Sequence, residues 1–140
     1  MYHTVHTTGL AHGGQAIARI GEHVCFVDGA LPDEKAAIRV DKTGTGVMWA
    51  TALEILEPSP HRIVPDEPLH GGNAWLVFAY PAQGEWKRRI VRDRMTRIAK
   101  IETDPGWIED PALRTGYRTR AEFHGDGQAL GFFARASHDI

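Results

Sequence analysis

Positive charge is concentrated in one stretch of this 140-residue sequence, and these cations are the side chains whose type and spacing could do chemistry. Residues 84–120 carry 10 Lys and Arg against 6 Asp and Glu, whereas residues 1–58 carry 4 against 7. The net charge of the whole chain is only -2, so the asymmetry is more informative than the total. Because attraction to phosphate dominates nucleic-acid affinity, we expect this stretch to hold the partner if that partner is a polyanion.

A helical pattern from about residue 82 to residue 101 sorts these cations onto two faces. Lys87 and Arg94 project from inside an apolar stripe, where an unpaired charge is costly, so each should snorkel or meet an anion. The opposite basic face is either an ordinary solvated surface or a contact for RNA phosphate. The stripe consists of Ile90, Val91, Met95, Ile98 and Ile101, and the basic face consists of Arg88, Arg89, Arg92 and Lys100. The candidate RNA-binding residues here are Lys87, Arg88, Arg89 and Arg92.

A second candidate group lies in a predicted strand from Tyr117 to Phe123. Arg118 and Arg120 alternate onto one side of that strand, next to Tyr117. Arginine beside an aromatic ring can grip phosphate and stack an unpaired base. We therefore rank these residues above the helix as RNA-binding candidates and expect Arg118→Ala to weaken RNA binding more than Arg89→Ala.

Other chemistries lack the residues that they need. The sequence has one cysteine, Cys25, which excludes an internal disulfide and a thiolate-held metal or iron-sulfur cluster and favours a role in core packing. The run Lys42–Gly46 has strand-like sequence on both sides and predicts a hairpin turn, not a phosphate-binding loop. No apolar run approaches the roughly 20 residues that cross a bilayer, and the start lacks the layout of a signal peptide. We expect a cytoplasmic protein with no membrane partner and no catalytic residues of its own.

The elements that must position these side chains fall into two modules. Residues 1–58 contain five predicted strands separated by glycine turns, which favours an OB-like barrel. Three prolines between residues 58 and 65 mark the boundary, and residues 59–140 form a small α+β module. In that module the helix is followed by an antiparallel sheet, with a hairpin loop at 124–127 and a return strand from Ala129 to Phe133. The predicted strands of the barrel are approximately 2–8, 15–20, 23–27, 35–41 and 46–56.

The order of several short motifs resembles the bacterial RNA uracil-C5 methyltransferase family. In the barrel the match rests on Gly13–Arg19 and on Val24–Glu34, where Asp33 replaces a glycine of the family's pattern. Further matches are Ser59–Pro65, His70–Trp75, Tyr80–Gln83, Lys87–Ile98, Gly116–Arg120, Gly131–Phe132 and Ser137–His138. The resemblance covers nearly the whole chain. It implies an N-terminal TRAM domain, which is an OB-like RNA-binding barrel, followed by part of the family's central α+β region.

The resemblance also implies what the chain does with partners and cofactors. Family members with an iron-sulfur cluster hold it on cysteines in the loop matched by His70–Trp75, where this chain has none, so we expect a cluster-free branch. S-adenosylmethionine, the nucleophilic cysteine and the general-base glutamate belong to a catalytic domain beyond the matched region. The chain would bind ribosomal or transfer RNA for that domain, located downstream or on a separate subunit. The alternatives are a stand-alone, non-enzymatic module that binds RNA or a protein, and a remnant without RNA affinity.

Overall fold

The alternating apolar residues of the first 57 positions form six strands in a computed structural model, which describes residues 1–66, 74–114, 116–125 and 127–133. The strands are β1 (Tyr2–His6), β2 (Gly9–Leu10), β3 (Ala16–Ile20), β4 (His23–Asp28), β5 (Lys35–Gly44) and β6 (Val47–Glu57). The five predicted strands are confirmed, the first of them as β1, whereas the short strand β2 lies beyond the predicted bounds. The predicted hairpin turn between Lys42 and Gly46 is also confirmed, since it joins β5 to β6.

The sheet curls because one bent segment of chain lies at both of its edges. The strand order is β1-β5-β6-β4-β3-β2, and only Thr7 and Thr8 separate β1 from β2. The Thr8 amide donates to the Ile17 carbonyl at 2.8 Å, which extends the pairing of β2 with β3 toward β1. All pairs are antiparallel except β4 with β6. This curled mixed sheet fits the predicted OB-like barrel.

The interior of the curled sheet is filled by small apolar side chains. Ala16, Ala18, Cys25 and Val27 are each at most 1% exposed. Small residues at these positions let the strands approach closely across a narrow core. Burial raises the pKa of the Cys25 thiol, which keeps the side chain neutral. The predicted packing role of this cysteine is therefore confirmed.

A buried ion pair fastens the segment that follows the barrel. Glu34 is fully buried, and its carboxylate accepts from Arg62 Nε at 2.5 Å and Arg62 Nη2 at 2.8 Å. The same carboxylate accepts from the backbone amides of Leu31 at 2.7 Å and Ser59 at 3.2 Å. Four donors thus compensate a charge that would otherwise be too costly to bury. The segment around Arg62 then pairs antiparallel with the segment around Phe78.

The predicted helix is confirmed as α1 (Tyr80–Arg94), continued by a π-helical turn from Met95 to Ala99. Pro81 fits the first turn, where its missing amide donor has no partner to lose. The inward face of the helix shares Ile90 with the predicted stripe but otherwise differs from it, because it is formed by Ala82, Trp86 and Ile90 at spacings of four residues. Ile98 is 68% exposed, so the stripe expected at the C-terminal end is not buried. None of the helices in the described residues is long and apolar enough to cross a membrane.

The last part of the chain holds a smaller sheet than predicted. Strands β7 (His124–Gly125) and β8 (Leu130–Gly131) pair antiparallel, and Phe123 packs on Phe132 with ring centroids 4.9 Å apart. The predicted strand over residues 117–123 was wrong, because the described part of that segment lies outside any strand. A two-stranded hairpin is marginal alone, and nothing among the described strands pairs with its upstream extension. The motif positions 70–73 and 137–138 lie outside the described residues.

Candidate nucleic-acid interface

An open groove lies between α1, the segment just before it and the segment at residues 107–117. Its walls combine flat aromatic rings with cations, which is the composition that proteins use to hold unpaired bases and their phosphates. The residues that carry this character are Trp75, Tyr80, Lys87, Trp107, Arg114 and Tyr117. Lys87 and Tyr117 were predicted from the sequence as site residues, whereas the other four were not.

Lys87 is the central cation of the groove. Its Nζ lies 5.8 Å from the centroid of the Trp75 ring and 6.0 Å from that of Trp107. Contacts of this kind contribute about 0.5–1 kcal/mol at exposed sites. The sequence predicted that Lys87 would snorkel or meet an anion. In the structure the residue is exposed and its ammonium lies near two indole rings.

Two glycines allow the tryptophans to take these positions. Trp75 Nε1 donates to the Gly14 carbonyl at 3.1 Å, and Gly14 has a φ of 87°, which favours glycine. Trp107 lies against Gly84 of α1, where an added Cβ would come within 2.7 Å of the indole nitrogen. Glycine at position 84 therefore costs helix propensity but lets the indole approach the helix backbone.

Two further arginines lie over aromatic rings at the same end of the molecule. Arg114 Cζ is 5.6 Å from the centroid of Tyr80, and Arg118 Cζ is 5.8 Å from that of Tyr117. A guanidinium on a ring face keeps its in-plane N–H donors available for phosphate. Arg118 thus stands next to Tyr117 as predicted, although the strand that was expected to align it with Arg120 is absent from the described residues. Arg120 is exposed.

Half of the predicted basic face of the helix is engaged within the chain. Arg88 and Arg92 both bind the carboxylate of Asp104 through Nη2, and Arg88 Nε donates to the Pro105 carbonyl at 2.9 Å. These contacts hold the segment after the helix back against it. The hydrogen bond from Arg92 and the nearby charge of Arg88 lower the pKa of Asp104. We name these three side chains the Asp104 latch.

Arg89 points away from the groove toward the barrel. Its Cζ lies 4.4 Å from the centroid of the Trp86 ring, and the side chain is exposed. The seven predicted residues therefore divide among the groove with its rim, the Asp104 latch, the barrel side of the helix and an exposed loop. Aromatic residues near the cations were the signal that could have found most of the others, because Trp75 and Tyr80 closely precede the cationic stretch at residues 84–120 and Trp107 lies within it.

The groove is not uniformly positive. Asp66, Glu109 and Asp110 also line it, and Glu109 accepts from Trp107 Nε1 at 3.0 Å. Acidic neighbours weaken the attraction for a phosphate backbone running along the groove. Stacking of a base on the rings depends much less on net charge, so the arrangement is better suited to an unpaired base than to a duplex.

Comparison with known proteins identifies the barrel first. Residues 2–53, which include β1 to β5 and the start of β6, match the TRAM domain family. The sequence prediction of an N-terminal TRAM domain is thereby confirmed.

Relatives named as RNA methyltransferases match nearly the whole chain. An uncharacterized RNA methyltransferase of Synechocystis is 34% identical over 95% of this chain and 31% of its own length. The 23S rRNA (uracil(1939)-C(5))-methyltransferase RlmD of Marinomonas is 32% identical over 98% of this chain and 32% of its own length. RlmD of Dichelobacter nodosus is 29% identical over 94% and 32%. The chain is thus related to the N-terminal part of the RNA uracil-C5 methyltransferases and spans about a third of the length of the curated relatives that it matches.

Proposed function

We propose that this chain is the RNA-binding N-terminal region of an S-adenosylmethionine-dependent RNA (uracil-C5) methyltransferase. It would position structured ribosomal or transfer RNA for a catalytic domain outside the 140 residues. The TRAM domain and the relatives named as 23S rRNA methyltransferases support this assignment. The observation that carries it is the position of the Lys87 ammonium near both Trp75 and Trp107 in the groove.

In this function the groove holds an unpaired part of the RNA. A base lying against Trp75 or Trp107 would stack on an indole face, while Lys87 and Arg114 meet the adjoining phosphates. Arg118 beside Tyr117 would extend the same pattern past the end of the groove. The rigid attachment of the groove to the barrel, through Trp75 on Gly14 and Arg62 on Glu34, would fix the RNA relative to the TRAM domain.

The cofactor chemistry of such an enzyme would lie outside these residues. S-adenosylmethionine would supply the methyl group in the catalytic domain, and this chain would only hold and orient the RNA. An iron-sulfur cluster does not fit the chain, because the sequence has one cysteine and that residue packs in the barrel core. We therefore propose a cluster-free member of the family.

Binding to RNA at several salt concentrations tests this function. We expect the chain to bind an RNA hairpin with an unpaired loop, with an affinity that falls as salt rises, because each neutralised phosphate releases counterions. Lys87→Ala should weaken binding, whereas Lys35→Ala, which removes a cation paired with Glu57 on the barrel, should not. Absent binding, or binding that is flat against salt, would contradict the assignment and favour a module that binds protein or nothing.

A further inference from the structure

The outer face of the barrel carries a second aromatic surface, separate from the groove. Ile17, Phe26 and Trp49 lie side by side across β3, β4 and β6, because each pairs directly with the next. Phe26 and Trp49 are in contact, with ring centroids 6.5 Å apart. Trp49 is 38% exposed, so its ring is open to a partner.

The helix extends this row at one end. Gly9 pairs with Ile17, and an added Cβ at Gly9 would lie 3.8 Å from the Trp86 ring and 3.9 Å from Ile17 Cδ1. The indole of Trp86 therefore lies on the barrel beside Ile17 with only a glycine beneath it. We name the four side chains Trp86, Ile17, Phe26 and Trp49 the barrel strip.

A cation covers a ring at each end of the barrel strip. Arg89 Cζ lies 4.4 Å from the centroid of Trp86, and Lys42 Nζ lies 5.1 Å from that of Trp49. The carboxylate of Asp41, next to Lys42, is matched by Arg39 at 2.8 Å and so does little to offset the positive charge there. From Ile17 to Lys42 the row covers three strand spacings of about 4.8 Å, or about 14 Å in total.

We propose that the barrel strip binds unpaired nucleotides of the RNA by stacking their bases on Phe26 and Trp49. Lys42 and Arg89 would then meet the phosphates on either side. This inference rests on the proposed function and deepens it, since it names single-stranded RNA as what the barrel contributes. An aromatic row between two cations suits a single strand, because every base has a ring face while a duplex presents only its backbone and groove edges.

The test compares two RNAs and matched variants of the 140-residue chain. The probes are an oligouridylate of about 12 nucleotides, which is within the range that one barrel covers, and a blunt RNA duplex of the same length. Trp49→Ala and Phe26→Ala remove the stacking rings. Leu53→Ala is the control, because Leu53 is an exposed apolar residue on the same strand, beyond the barrel strip.

We expect Trp49→Ala to weaken oligouridylate binding about fivefold to a hundredfold while duplex binding is unchanged, since stacking on one ring is lost. Leu53→Ala should bind like the wild type. Arg89→Ala and Lys42→Ala remove only surface cations and should weaken oligouridylate binding at least a few-fold. If a ring variant fails to fold, these two variants test whether the barrel strip binds the single strand.

Two other outcomes separate this inference from the function on which it rests. One is that the wild-type chain binds oligouridylate while the two ring variants, at Phe26 and Trp49, and the two cation variants, at Lys42 and Arg89, all bind equally well. In that case the barrel strip is not the surface, and the RNA-binding function stands on the groove. If the wild-type chain binds neither oligouridylate nor the loop of an RNA hairpin, both proposals fail.

Discussion

Single residues decide how firmly the groove is attached to the barrel, and Glu34 is the most consequential of them. Its carboxylate is fully buried and depends on Arg62, so Arg62→Met should leave a charge with only two backbone donors. Removing one partner of a buried pair typically costs about 3–5 kcal/mol. Urea unfolding of the variant should show a free energy of unfolding lower by about that amount.

The control for this prediction is Arg39→Met on the outer face of the barrel. Arg39 pairs with Asp41 at 2.8 Å, but both side chains are well exposed to solvent. Solvent screens such exposed pairs so that they contribute little to stability, and this variant should unfold close to the wild-type midpoint. Equal losses in the two variants would mean that the Glu34 pair has no special role.

The Asp104 latch predicts a dependence on pH. Since the two arginines lower the pKa of Asp104 in the folded chain, the latch adds stability above the usual carboxyl pKa of 3.8 and loses it as the pH falls through the lowered value. Asp104→Asn should therefore melt at a lower temperature than the wild type at pH 7. This difference in melting temperature should shrink as the pH is lowered into the acid range. Asp93→Asn, on α1, is the control, because Asp93 does not belong to the latch. A difference in melting temperature between Asp104→Asn and the wild type that stays constant down to the lowest pH would argue against the latch.

At the level of elements, glycine at position 84 poses a direct conflict between helix propensity and packing. Alanine favours a helix by about 1 kcal/mol over glycine. Here its Cβ would collide with Trp107, so we expect Gly84→Ala to displace Trp107 from the groove. The indole N–H resonance of Trp107, which reports its hydrogen bond to Glu109, should shift toward that of a solvated indole.

Gly106→Ala is the matched control for that variant, because an added Cβ there meets nothing within 4 Å other than the two residues that flank it in sequence. The resonance of Trp107 should then stay where it is in the wild type. A shift in the control as large as that in Gly84→Ala would mean that any side chain in this region displaces the ring.

The sequence predicted elements well where local pattern and tertiary contacts agree. In the barrel, alternation and glycine turns located five strands, because each strand has one buried and one exposed face. The prediction of a strand at residues 117–123 was wrong, because a strand needs a partner and a pattern of alternating residues does not supply one. The helix was located correctly, but only Ile90 of its inward face was predicted, since Trp86 packs on a barrel glycine that no helical wheel includes.

For the whole molecule, composition showed where the cations are but not what they touch. Arg88 and Arg92 look equivalent to Arg89 in sequence, yet they are held by Asp104, twelve or more residues away, while Arg89 lies on a ring. Such pairing depends on how the chain turns back after Lys100, whose φ of 58° ends the helix. The aromatic half of the site was missed because tryptophans are read as core residues until their exposed rings are seen beside cations.

Cations that meet phosphates and rings that stack bases should give two kinds of variant, which differ in the salt dependence of RNA binding. For a single strand, the logarithm of affinity falls against the logarithm of salt with a slope of about 0.7 per phosphate contacted. Lys87→Ala and Arg89→Ala should each reduce that slope by about this amount. Arg92→Ala should leave it nearly unchanged, because its charge is already matched by Asp104. Trp49→Ala should lower affinity at every salt concentration without altering the slope, since stacking releases no counterions. If Arg92→Ala reduced this slope as much as Arg89→Ala does, the RNA would have to open the Asp104 latch on binding.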